Sequence, residues 1–274
     1  MSTSSNSRNI IIGIVVLVVL GAVGGFLYLN RPAAEEASLD NALTALDDEE
    51  STEDAASDDG APQTESADAA GDGEATATAA EDDAGDALAD ASGTWQVDTT
   101  IGEFDFADAT STFAGFRVNE ELSTVGQTEA VGRTPAVSGS LEINGTVLEA
   151  ATIEADFAAI ESDIPRRDNA MRNAMNVDEN PIGTFELTSP VDFGEVPAEG
   201  TPIAFTASGD LTVNGMTNPV EVDMEAQVAD GNIVVVGSTN VVFADYGIEA
   251  PQVGPVVSIE DNGTVEMQIW FTRA

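Results

Sequence analysis

The chain has 274 residues and a formal net charge of −42, set by 50 Asp+Glu against 8 basic residues, all of them arginine. It contains no His, Cys or Lys, which removes imidazole and thiolate metal sites, disulfides, Ser-His and Cys-His catalysis, Schiff bases and the P-loop lysine. So acidic a chain argues against nucleic acid and anionic surfaces as partners of the soluble part.

Residues 1–9 are polar and end in Arg8-Asn9. From Ile10 to Leu29 there are 20 residues without a charge. As a helix this run spans roughly 30 Å, the thickness of a bilayer core. Tyr28 sits near one end, where an interfacial aromatic belongs. The run predicts a transmembrane anchor at 10–29. Arg8 and the terminal amine on one side outweigh Arg31 on the other, so residues 1–9 are expected in the cytoplasm and the rest outside the cell membrane. The competing reading is a cleaved signal peptide with Ala22-Val23-Gly24 as the processing site, but apolar residues continue past it.

Residues 30–93 differ in character. They carry 20 acids and one arginine, no aromatic residue and no stable period. Such a segment buries too little apolar surface to offset its chain entropy, so a disordered acidic linker is expected, with a short helix near 37–46 as its one element. No run has the alternating acids and closing Glu of a calcium loop, and no metal site is expected.

From Thr94 onward short alternating segments dominate, and they define a folded domain at 94–274. Trp95–Asp98, Thr112–Val118, Ala136–Ile143, Thr146–Phe157, Ile182–Ser189, Ile203–Val213, Val220–Val228, Asn232–Val242 and Thr264–Thr272 read as strands. Asn144-Gly145, Asn214-Gly215, Asp230-Gly231 and Asn262-Gly263 read as the tight turns between strands. The pattern predicts an all-β, antiparallel barrel or sandwich. Pro165 to Met175 interrupts it as a short helix, with Met171, Ala174 and Met175 on one side and Arg166, Arg167 and Arg172 among the rest. This domain holds thirty acids against six arginines, a net −24. Such a surface suits high salt, where screening relieves self-repulsion.

Four stretches resemble the YceI-like family. They are Trp95-x-Val97-Asp98; Ser162-Asp163 through Arg167-Asp168-x-x-Met171-Arg172 to Asn180-Pro181-x-x-Thr184-Phe185; Gly209-Asp210-Leu211-Thr212-Val213-Asn214-Gly215-Met216-Thr217-Asn218-Pro219-Val220; and Asp245-Tyr246-Gly247-Ile248. The resemblance covers Thr94 to Arg273. It implies a lipocalin-like barrel of about eight antiparallel strands around an elongated cavity for a polyisoprenoid or its quinone, with no other cofactor. The chain departs from the family pattern at Asn169-Ala170, Asn176-Val177 and Asn180, all near the expected cavity rim, and has no arginine at the usual place before Asp245.

The cavity lining that follows is Phe113 and Phe116, Ile153 and Phe157, Phe185 and Leu187, Phe205 and Leu211, Val222 and Met224, and Met267 and Ile269, with Met171 and Met175 from the helix. Arg166, Arg167 and Arg172 either pair with Asp163, Asp168, Asp178 and Glu179 or form a rim for a lipid head group. The alternating apolar residues alone fit a packed core as well as a hollow. The acids fall almost wholly on the wet faces of strands, where nothing raises a pKa, so carboxylate catalysis is discounted and a binding protein expected. The alternative is a scaffold without ligand, serving adhesion, stress response or protein interaction. The sequence also allows a homodimer.

Overall fold

The computed structural model describes residues 34–54, 91–251 and 256–274. The expected cytoplasmic tail and membrane anchor lie outside them. Among the described residues no helix is long and apolar enough to cross a membrane.

Two helices, α1 (Leu39–Asp54) and α2 (Pro165–Ala174), accompany twelve strands. The strands are β1 (Gly93–Asp98), β2 (Phe113–Leu122), β3 (Gly126–Thr134), β4 (Val137–Asn144), β5 (Val147–Asp156), β6 (Ile182–Leu187), β7 (Val191–Asp192), β8 (Ile203–Val213), β9 (Met216–Ala229), β10 (Asn232–Val242), β11 (Val256–Ile259) and β12 (Asn262–Arg273). Eight of them close a ring in the order β1-β4-β5-β6-β8-β9-β10-β12, with β12 returning to β1. All of these pairs are antiparallel. Closure leaves no free edge in the ring.

The barrel has two unlike ends because β12 changes partner. Trp270–Arg273 pairs with β1, whereas Thr264–Gln268 pairs with β2. The β2–β3 hairpin, joined at its tip by β11, raises the wall at that end, and α2 lies beside it. This is the mouth. The β9–β10 turn stands at the closed end, where Ile233 faces Phe271.

The halves of β10 and β12 nearest the closed end are buried on both faces. Ile233, Val235, Ile269 and Phe271 join the core inside the barrel. Val234, Val236 and Trp270 face outward and pack under Leu39, Ala42 and Ala45 of α1. Two-sided burial explains the unbroken run Ile233-Val234-Val235-Val236 in place of alternation.

The outer wall next to this packing carries an ionic cluster. Glu266 accepts from Arg117 Nε at 2.8 Å and from Arg133 Nε at 3.0 Å, and Glu129 accepts from Arg117 Nη1 at 2.8 Å. Arg133 is fully buried, stacked over the Phe113 ring at 4.1 Å. Its Nη1 donates to the carbonyls of Phe106 and Asp108. Arg117 Nη2 donates to the Ala34 carbonyl at 3.0 Å, and both guanidinium groups donate to the Glu35 carbonyl. Glu35 N–H donates to Ala107 at 2.8 Å. The arginines thereby fasten residues 34–46 to the barrel as a strap.

The structure differs from the sequence reading at several points. Within the acidic segment read as a linker, the helix near 37–46 forms, extends to Asp54 and docks. Its buried stripe is two alanines and a leucine, too slight to register against the surrounding acids. Strand β3 was missed because its buried half is Ala130-Val131-Gly132-Arg133-Thr134, with polar residues where apolar ones are expected. The short β7 and β11 were missed as well. Asn214-Gly215 and Asp230-Gly231 form the expected turns, with φ positive at both residues. Asn262-Gly263 does not turn. It opens β12, and Asn262 pairs with Val242.

Candidate functional site

An open hollow of about 980 Å³ occupies the barrel interior and its mouth. Inward positions alternate along each strand, and several of them are small: Ala114 on β2, Ala155 on β5, Gly183 on β6 and Gly237 on β10. Small inward side chains leave the axis open where Leu or Phe would fill it. Apolar side chains make up much of the remaining wall, among them Phe116, Ile153, Phe157, Phe185, Leu211, Val222 and Met267. Helix α2 adds Met171, and Met175 follows it. Gly132 makes this seat, since a Cβ there would stand 2.8 Å from Met171 Sδ.

The floor of the hollow is Phe185, Ile153 and Met267, which also bound a second void of about 50 Å³. Phe185 lies against Gly209, where an added Cβ would meet its ring at 2.3 Å. Phe205, Met224 and Ile269 line the lower void, with Phe193 set edge-to-face on Phe205 at 5.1 Å between centroids. Twelve of the fourteen side chains expected to line a cavity thus surround these two spaces. Phe113 and Leu187 line neither. Phe113 stands three residues from Phe116, an odd spacing that turns it to the outer wall, under Arg133. Leu187 packs against the core at the end of β6.

The three arginines of the expected rim have separate fates. Arg167 donates to Glu120 Oε1 at 2.7 Å and to Asp163. Arg166 is exposed at the mouth and borders the hollow. Arg172 donates to the Ile160 carbonyl at 3.1 Å and to Asn169 Oδ1, away from the hollow. Asp168 accepts from the Ser162 hydroxyl. Asp163 alone of the expected carboxylate partners receives an arginine here.

Glu120 is an exception to the placing of the acids on wet faces: it points inward and is 6% exposed. Its charge is met by Arg167. Glu266 is buried too, on the outer wall between its two arginines. Burial works against the charge on Arg117, but Glu266 and Glu129 outweigh it and hold the pKa above the ordinary value. At Arg133 burial prevails and the neighbouring Arg117 adds to it, so the pKa is lowered despite Glu266.

Sequence reasoning also missed Tyr246 as a cavity residue. It lines the hollow, it is 2% exposed, and its hydroxyl makes no hydrogen bond of normal geometry. Burial, and then the Asp245 charge, push its pKa up, with Asn218 acting the other way. The Asp-Tyr-Gly-Ile turn was the signal that could have placed it.

A closed antiparallel barrel of eight strands around a hollow places the molecule in the lipocalin-like fold class. A family model described as the YceI-like domain matches residues 95–271, and the chain belongs to that family. No curated protein matches it by sequence. Among solved structures it is similar to a polyisoprenoid binding domain from Saccharophagus degradans implicated in plant cell wall breakdown, with 17% identity and a TM-score of 0.52 over 66% of this chain and 98% of that one. It is also similar to Burkholderia cenocepacia BcnA, at 13% identity and a TM-score of 0.44 over 58% and 95% of the two chains. A Campylobacter jejuni YCEI protein is 16% identical, with a TM-score of 0.41 over 51% and 82%.

Proposed function

We propose that this chain is a membrane-tethered, extracytoplasmic binding protein that holds a long apolar lipid, a polyisoprenoid or an isoprenoid quinone, inside its barrel. The observation that carries the reading is the hollow itself. Its 980 Å³ stands at the upper end of the roughly 300–1,000 Å³ of small-molecule sites. Its wall is mostly apolar, with the polar groups gathered toward the mouth, so a lipid tail is stabilised there at about 25 cal/mol for each Å² removed from water. The Tyr246 hydroxyl supplies a donor for one head-group oxygen, which suits a quinone carbonyl or an alcohol. The likeness of fold to a domain named for polyisoprenoid binding supports the same reading. Binding is the role this reading assigns, and the two buried carboxylates, Glu120 and Glu266, are each taken up in ion pairs with arginine.

The test is to secrete residues 34–274, purify them without detergent, extract with organic solvent and analyse the extract by mass spectrometry. About one lipid per chain is expected. A protein that arrives empty, and takes up neither a polyprenol nor a quinone from micelles, would end the carrier reading and leave the scaffold. Protease applied to intact cells tests the topology. Release of the barrel from outside is expected, and full protection would reverse it.

A further inference from the structure

The strap bears on how the barrel meets a membrane. Ala34 borders the hollow and is held by Arg117, midway along β2. Further along the strap, Leu39, Ala42 and Ala45 lie on Ala229, Val234 and Trp270, toward the closed end. The chain therefore climbs the outer wall, traced backward, from the closed end toward the mouth. From Arg117 to Leu122, at the rim, is five residues of strand, or about 17 Å at roughly 3.3 Å per residue. From Ala34 back to Leu29, where the uncharged run ends, is also five residues, and these span at most about 18 Å. The two lengths match.

We propose that the docked strap holds the mouth of the barrel against the bilayer, so that the hollow opens onto the membrane in which the chain is anchored. This rests on reading residues 10–29 as an anchor and the hollow as a lipid site. A partner surface of lipid also fits the rim, where Val125 in the β2–β3 turn is 46% exposed and Val257 on β11 is 56% exposed. The acidic residues from 55 to 90 then connect α1 to β1 beyond the strap. They do not separate the mouth from the membrane, and the lipid need not cross water to enter. Residues 94–274, at thirty acids against six arginines, are repelled by anionic lipid. A short mechanical tether, not charge, sets the orientation.

The absence of cysteine makes the test direct. The full chain is reconstituted into neutral phosphatidylcholine vesicles with a single thiol label, at Val125→Cys on the mouth or Ala198→Cys near the closed end, and with a quencher on the lipid head group. At least twofold quenching is expected at 125 and little at 198, unchanged between low and high salt. Inserting 20 Gly-Ser residues after Pro32 should abolish the difference. Equal quenching at both sites, or no effect of the spacer, overturns the orientation. A chain that does not stay with the vesicles overturns the anchor and the orientation with it. A correct quenching pattern with no quinone passing from vesicle to barrel upholds the orientation and removes the carrier reading alone.

Discussion

Replacing Glu266 with Gln should weaken the whole outer wall. Glu266 is 3% exposed and meets Arg117 at 2.8 Å and Arg133 at 3.0 Å. The substitution keeps the shape and removes the only negative charge within ion-pair distance of Arg133 among the described residues. Breaking a buried pair by neutralising one partner costs about 3–5 kcal/mol, because the remaining charge stays buried. Here the lower end applies, since Glu129 still faces Arg117 and the carbonyls of Ala34, Glu35, Phe106 and Asp108 still accept. For a domain of this size about 1 kcal/mol moves Tm by roughly 2–4 °C, so a fall of about 6–12 °C is expected. Circular dichroism melts of the two proteins measure it, and hydrogen exchange should show residues 34–46 opening first. A change below about 2 °C would refute the idea that this carboxylate holds two buried cations and, through them, the strap.

Other changes should separate structural from binding roles. Arg167→Gln leaves Glu120 buried without its cation and should cost on the order of 3 kcal/mol in urea denaturation, while Arg166→Gln, on an exposed group, should cost close to nothing. Gly132→Val drives a side chain into Met171 and should destabilise by about 1–3 kcal/mol with loss of the α2 seat, seen as raised exchange over 165–175. Asp192 accepts from the Gly194 amide at 2.9 Å, and this bond, then the Thr146 hydroxyl, holds its pKa below the usual 3.8. A depressed folded pKa means its stabilisation is present above pH 3.8 and lost as pH falls through the lower value. NMR titration should give a midpoint below 3.8, and a midpoint at or above it refutes the cap. Finally, the net −24 of the folded part predicts a Tm that rises between 0.1 and 2 M KCl, and a fall would contradict it.

Alternation made the inside of the barrel legible in the sequence. Phe185, Leu211, Val222 and Met224 could be assigned by counting in twos because each strand had one wet face. The method failed where that premise failed. Arg133 and Thr134 are wholly buried polar residues, so β3 read as loop. Phe113 was placed inside because aromatic residues attract that reading, although its spacing from Phe116 puts it on the other face. Residues 34–46 looked like part of a solvated linker because the contacts that fix them come from far along the chain: arginines 82 to 98 positions away hold Ala34 and Glu35, and Val234, Val236 and Trp270 receive α1. Pairings of that range leave no mark on local composition. Whether the oily interior was solid or open was likewise beyond periodicity. It turned on small inward residues such as Ala114 and Gly237, which flank Met267 on the two neighbouring strands.

The packing of α1 on Val234, Val236 and Trp270 gives this molecule a keel outside its hull. A barrel that relies on its contents for cohesion must be built around cargo and collapses when emptied. Here part of the cohesion is external, so the proposed loading and unloading would leave the shape of the vessel unchanged.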